Sequence, residues 1–492
     1  MNSSIGLRRA TVAAVPLATA IALAALATPS AAQRASFDRS KPPVLGPAPQ
    51  LVLPGATERT LPNGLRLIIV EQHELPLVDI SLVVKSGGEF DPAGKTGAAT
   101  LASTLMSEGA GSRNSQAIAE QQAFLGVFVS AFAGWDQSGV SLHAPTAVLD
   151  SALALFADVA LRPTFPAEEF DRQKRQRMTQ LLQVNDRGPA MADRAFAAIL
   201  YGDSHPYGRP LAGTESTVES LTRDDIVAFY RSVYRPNNAF MLIVGDVTPA
   251  DIERRITSLF GSWERGAVPA PPSGTAPART DRRIYFVDKP AAAQSSFRIG
   301  TVGVARTTDD FYPLQVMNTI LGGAFTSRLN MKLREEKGYS YGATSGFSMR
   351  RDPGPFTARS EIQANKTDSA LIEFVKELDG MSKPLTPAEL DKAKKYLQLG
   401  LPGAYETTGS IAGQLSTYAL YGLPLNEPTR AVARLGAVTA ADVQRVATKY
   451  VDPSKLAIVI AGDARTLVPL LKATGIAPVE LRDSYGRVII SQ

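Results

Sequence analysis

The stretch LTRDDIVAFYRSVYRPNNAFMLIVGD (221–246) returns later in the chain as VTAADVQRVATKYVDPSKLAIVIAGD (438–463), without a gap, at an offset of 438 − 221 = 217 residues. Thr222 and Thr439, Asp225 and Asp442, Pro236 and Pro453, Gly245 and Gly462, and Asp246 and Asp463 fall on matching positions. Both copies read alike. A threonine followed three residues later by an aspartate starts a helix, a proline marks a turn, and an apolar run ending in Gly-Asp is a buried strand. A second pair lies upstream, PAEEFDRQKRQ (166–176) and TPAELDKAKKY (386–396), at an offset of 386 − 166 = 220. There Glu169 and Glu389, Asp171 and Asp391, and Lys174 and Lys394 coincide. Two separate matches at nearly one spacing identify a tandem duplication.

The halves so defined run from 56 to 263 and from 283 to 492. Between them, ERGAVPAPPSGTAPARTDR (264–282) has Pro, Gly and Ala without an apolar period, the composition of an exposed linker. In the first half, LRLIIVEQ (65–72) and LVDISLVVKSG (77–87) read as paired strands. Helical stretches follow near 96–108, 115–125, 147–161 and 168–184. The second half repeats this with RIYFVDKP (283–290), SSFRIGTVG (295–303) and helices near 310–321 and 325–336. Strands in pairs followed by runs of helices predict an α+β fold, with helices layered on antiparallel-rich sheets in each half.

Of 492 residues, 44% are hydrophobic and 20% charged, which is a globular balance and excludes a disordered or collagenous chain. The net charge of +5 is small for this length, and no stretch concentrates Lys and Arg as a nucleic-acid groove requires. Cysteine is absent, which excludes disulfides, thiolate metal sites and a cysteine nucleophile. His73, His143 and His205 are the three histidines, too far apart for a local two-histidine metal motif. Residues 1–32 carry Arg8 and Arg9, an Ala/Leu/Val run, and the small residues Ser30-Ala31-Ala32, the layout of a secretory signal peptide. This predicts export to a periplasm, cleavage after Ala32 and no membrane anchor in the mature chain. Residues 33–55 read as a Pro-rich leader.

The order of motifs carries a resemblance. LPNGLRLIIVEQ, a strand leading into Ser-Gly-Gly, a helix opening Gly-Lys-Thr-Gly, then SEGAGSR are similar to the pitrilysin/insulinase family of inverted-zincin metallopeptidases. The mitochondrial processing peptidase is among its members, and the resemblance extends over about 55–470. Active members hold zinc with H-x-x-E-H on the first helix, the glutamate activating water. Here that helix lies in TGAATLASTLMSEGAGSR (96–113), and the three positions are Thr100, Ser103 and Thr104. The family's distal glutamate ligand falls near Thr179–Gln180. Three hydroxyls cannot replace two imidazoles and a carboxylate, so this chain is expected to bind no zinc and no other cofactor. Read as structure alone, the hydroxyls bond back to helix carbonyls.

The family's other marker is present. LGGAFTSRLNMKLREEKGYSYGATSGF (321–347) supplies Arg334 and Tyr341, matching an Arg and Tyr that reach across to the zinc in active members. Arginine stays charged and tyrosine donates a strong O–H bond, so both can hold a substrate carbonyl or the oxyanion formed from it. Arg328 matches a further family arginine, with a structural helix contact as an equal reading. The resemblance implies division of labour. A homologous partner chain brings H-x-x-E-H and Zn²⁺, this chain brings Arg334 and Tyr341 in trans, and two clam-shell chains enclose short or unfolded peptides.

Three other readings stand beside it. One is a catalytically inactive scaffold of the same fold, against which the retained Arg334 and Tyr341 argue. Another is a substrate-gating subunit, but the family's long glycine-rich loop is here only Leu321-Gly322-Gly323-Ala324. The third is a serine hydrolase, for which no G-x-S-x-G elbow is present.

Overall fold

A computed structural model describes residues 46, 55–272 and 274–489. The expected signal peptide, and all of the leader except Gly46 and Gly55, lie outside the described residues. From residue 55 onward, what is described belongs to one compact unit, Ala48–Gln492.

The repeated stretch folds as its residues dictate. Thr222 and Thr439 each cap a helix, Arg223–Val233 and Ala440–Tyr450, in reciprocal bonds with Asp225 and Asp442. Pro236 and Pro453 each open a 3₁₀ turn, and the wholly buried strands Ala239–Gly245 and Ala457–Gly462 follow. Lys174 donates to the carbonyl of Leu221 at 2.8 Å, and Lys394 to that of Val438 at 2.9 Å, each just ahead of the capping threonine. Gly245 is held at φ +147, where a Cβ would lie 2.2 Å from the Leu77 carbonyl oxygen.

The first half contains β1 (Ala56–Thr60), β2 (Arg66–Glu71), β3 (Leu77–Val84), the short pair β4 (Gly109–Ala110) and β5 (Arg113–Asn114), β6 (Phe128–Ala133), β7 (Ser138–Pro145) and β8 (Ala239–Gly245). The second contains β9 (Arg283–Asp288), β10 (Gln294–Val302), β11 (Ser340–Phe347), β12 (Pro355–Gln363), β13 (Ala457–Gly462) and β14 (Val479–Arg482). The two large sheets run β1-β2-β8-β3-β7-β6 and, read the same way, β14-β9-β13-β10-β12-β11. Five consecutive strands correspond, with the same parallel and antiparallel senses, and only the first edge differs.

β2 and β3 do not pair directly, contrary to the sequence reading, and neither do β9 and β10. The strand that ends in Gly-Asp slides between them in each half, parallel to one and antiparallel to the other. β8 and β13 are apolar on both faces and take the most buried place in the sheet.

One sheet face is covered by helices of its own half. The other is covered by a helix from the opposite half. Gly188–Tyr201 packs on β10 and β13, where Phe196 and Leu200 meet Val287 and Val459. Thr408–Leu420 packs on β3 and β8, where Ile411 and Leu415 meet Ile68 and Leu242. Each half therefore completes the other's core, as the two-fold repetition of the sequence allows. Polar contacts cross the same seam: Asp136, which accepts from Tyr207 of its own half at 2.8 Å, also accepts from Tyr421 at 2.8 Å and from the Arg351 backbone at 2.7 Å in the second half.

Candidate functional site

The helix Ala98–Met106 carries Thr100, Ser103 and Thr104, the positions that the resemblance assigns to the zinc motif. Its first turn is pinned by Asp91, whose carboxylate accepts from the backbone of Gly97 at 2.7 Å and Ala99 at 2.8 Å. Thr100 donates to the carbonyls of Gly97 and Leu211 at 3.1 and 3.3 Å, while Ser103 and Thr104 both donate to the carbonyl of Thr100 at 2.9 and 3.0 Å. The hydroxyls are thus engaged with backbone, Ser103 deepest.

Arg177 reaches the same place. From the helix Ala167–Val184 its Nη1 donates to the Thr100 hydroxyl at 2.9 Å and to the Ala212 carbonyl at 3.1 Å. No carboxylate pairs with it among the described residues, and burial holds its pKa below the ordinary arginine value. A half-buried cation against neutral hydroxyls is the reverse of a zinc-binding donor set, so these residues do not fit the metal. Thr179 and Gln180 are exposed, and Thr179 bonds to the Arg175 carbonyl. The inward stripe of this helix is instead Phe170, Arg177 and Leu181. Among the described residues no group of three His, Cys, Asp or Glu side chains converges to hold a metal ion.

Arg334 and Tyr341 are brought together in the second half. Arg334 lies in a π-helical turn, Met331–Glu336, a widening frequent at functional sites. Gly338, at φ +64, turns the chain into β11. The β11–β12 register slips between Ser340 and Ala343, so Tyr341 sits in a bulge, which re-aims a side chain. Arg334 Nη1 donates to the Tyr341 carbonyl at 3.0 Å, its Nε faces Glu335 at 3.1 Å, and its guanidinium lies 4.9 Å from the Phe325 ring centre. Tyr341 is 89% exposed and Phe325 57%.

Asn330, which the sequence reading missed, ties the motif together. It accepts from the Ala343 backbone at 3.2 Å and donates to the Phe325 carbonyl at 2.7 Å. No sequence pattern marks it, because its partners are set by the bulge. Arg328 is occupied structurally: it donates to Glu389 at 2.9 Å and to the Gly380 carbonyl at 3.1 Å.

Residues 66–215 match the family model described as Insulinase (Peptidase family M16), and residues 220–397 match Peptidase M16 inactive domain. The chain belongs to the insulinase family of peptidases. Relatives in the family include an uncharacterised zinc protease of Rickettsia bellii, 24% identical over 81% of this chain and 96% of its own length. Another, from Mycobacterium bovis, is 26% identical over 84% of this chain and 95% of its own. Among solved structures, a peptidase M16 inactive domain from Pseudomonas fluorescens superposes with a TM-score of 0.78 at 28% identity, covering 83% of this chain and 98% of that one. A chain of complex III2 from Candida albicans shares the fold at a TM-score of 0.72 and 15% identity, over 86% of this chain and 100% of its own. The family fold is thus shared with chains of differing roles, and the site must decide the role of this one.

Proposed function

We propose that this chain is the zinc-less subunit of an exported two-chain metallopeptidase. In that enzyme it supplies Arg334 and Tyr341 to substrate bound at the zinc of an H-x-x-E-H partner. The observation that carries the reading is the posture of Tyr341. An aromatic residue at the start of a strand ordinarily packs inward, but this one stands almost fully in solvent on a bulge, with Arg334 bonded to its backbone. A phenol and a guanidinium held side by side and left open suit a carbonyl oxygen delivered from outside the chain.

The partner's metal supplies the polarised water. Tyr341 donates its O–H to the substrate oxygen as negative charge gathers there. Arg334 adds a fixed positive charge that needs no reorganisation in the reaction. The opposite lobe offers no competing centre, since Thr100, Ser103 and Thr104 are tied to backbone and Arg177 puts a positive charge among them. Export rests on the basic start, apolar run and small-residue cleavage site in 1–32.

The test is reconstitution with an exported H-x-x-E-H chain. This chain alone should leave a fluorogenic peptide intact, and the pair should cleave it. Cleavage by this chain alone, or no gain in rate on pairing, would favour a different role. N-terminal sequencing of exported material should begin at Gln33.

A further inference from the structure

Helix Gly188–Tyr201 covers most of the outer face of the second sheet but stops short of its β11–β12 corner. A cleft of about 440 Å³ opens there, between the two halves. Its floor is the bare sheet surface around Thr344, Gly346 and Thr357, where a Cβ at Gly346 would meet nothing within 4 Å. Aromatic walls rise from the first half, with Trp135, Phe196 and Tyr207 among them.

Two of its arginines stand outside any ion pair. Arg350 lies over two of these rings, 4.9 Å from the centre of Trp135 and 4.5 Å from that of Tyr207, which stand edge to face. Arg359 makes one weak bond, to the Thr344 hydroxyl at 3.3 Å. No carboxylate pairs with either among the described residues. The single acid in the lining, Asp193, bonds Arg298 through both oxygens, at 2.5 and 3.2 Å, and shares that arginine with Glu361 at 3.1 Å. Asp136 lies nearby, but its oxygens serve Tyr207, Tyr421 and the Arg351 backbone. Arg350 and Arg359 thus face an open, partly apolar space, and neither is held in an ion pair among the described residues. A guanidinium drawn to aromatic rings keeps N–H groups available to a ligand.

From these observations we infer that the cleft is a carboxylate-binding subsite, which takes an acidic side chain or the C-terminal carboxylate of a bound peptide through Arg350 and Arg359. That the ligand is a peptide rests on the proposed function. The placement supports it: β11 runs from the Tyr341 bulge straight to the cleft, and Thr344 is three residues, or about 10 Å, along the strand. A peptide held at Arg334 and Tyr341 would therefore present its carboxylate about three residues away. Burial against the rings holds the pKa of Arg350 below its ordinary value, and a bound carboxylate would relieve that penalty.

Trp135 lines the cleft and Trp263 is the other tryptophan, so a Trp263→Phe chain reports on the cleft through its fluorescence. The probes are an amidated Glu-containing decapeptide, its Gln counterpart, and the Gln peptide with a free C-terminus. They are titrated into the isolated chain, without partner or zinc, so that a failure of the two-chain reading does not alter this outcome. The Glu peptide or the free-carboxylate peptide should bind roughly tenfold more tightly than the amidated Gln peptide. Arg359→Gln, at an exposed strand position, should remove much of that preference, and Arg350→Met, which keeps an apolar stem, should remove most of it. The two carboxylate probes distinguish a side chain from a chain end. Equal binding of all three peptides, or an unchanged preference in a folded Arg359→Gln, Arg350→Met double variant, would overturn the inference.

Discussion

The guanidinium of Arg177 donates to the hydroxyl of Thr100 at 2.9 Å, placing a positive charge at the position that the family resemblance assigns to the zinc motif. A half-buried cation beside these hydroxyls would repel a metal ion.

It follows that metal analysis of the purified chain should find no stoichiometric zinc. The triple variant Thr100→His, Ser103→Glu, Thr104→His should also take up none while Arg177 is present. One tightly held equivalent in the triple variant would refute the part assigned to Arg177. Arg177→Met alone should change stability by no more than about 1 kcal/mol, because Thr100 retains its bonds to Gly97 and Leu211.

The exchanged helices predict a single cooperative unit. Leu415, from the second half, is buried on the first sheet, and Phe196, from the first, on the second. Leu415→Ala should cost about 2–5 kcal/mol, and Phe196→Ala a similar amount. Denaturant unfolding followed by tryptophan fluorescence and by far-UV dichroism should give coincident midpoints in both variants. Separate transitions would mean that the halves are stable apart.

Glu89 sets a pH dependence. It is 2% exposed and meets Arg351 of the opposite half, and burial lifts its carboxyl to about 8 against the pull of that arginine. In the unfolded chain the ordinary value is 4.5. Between these values the folded protein keeps a proton that the unfolded chain has released, so unfolding free energy falls as pH rises from about 4.5 to 8 and levels off above that. Glu89→Gln mimics the protonated form and should reduce this slope, leaving the part that Asp91, lifted by burial to about 7, contributes below that pH. A variant with the slope of the parent would place the cause elsewhere.

Much of the fold was legible because its determinants are local. The capping threonines, the prolines and the apolar strands of 221–246 and 438–463 act within a few residues, so the sequence repeat and the structural repeat coincide. The insertion of β8 between β2 and β3 was not legible, since it depends on which strand is buried on both faces once the sheet assembles. Nor was the exchange of helices, whose apolar faces name no partner. At the site, Arg334 and Tyr341 could be read by resemblance, whereas the bulge that turns Tyr341 outward and the bonds of Asn330 depend on register. Arg177 had a faint signal in the seven- and four-residue spacing of Phe170, Arg177 and Leu181, which places it on the inward stripe.

The central claim, that Arg334 and Tyr341 act in trans on substrate at a partner's zinc, is tested most directly by peptide hydrolysis in the reconstituted two-chain complex, with assembly checked by size. Tyr341→Phe deletes one exposed hydroxyl and leaves the Arg334 bond to the backbone carbonyl in place, so the complex should form as before. Turnover should nonetheless fall roughly 10²–10³-fold, or about 3–4 kcal/mol, as for loss of an oxyanion donor. Arg334→Lys keeps the charge but not the forked geometry and should also impair turnover, whereas Thr104→Ala should leave it unchanged. Full activity in an assembled Arg334→Ala, Tyr341→Phe double variant would contradict the account and leave a scaffold in its place.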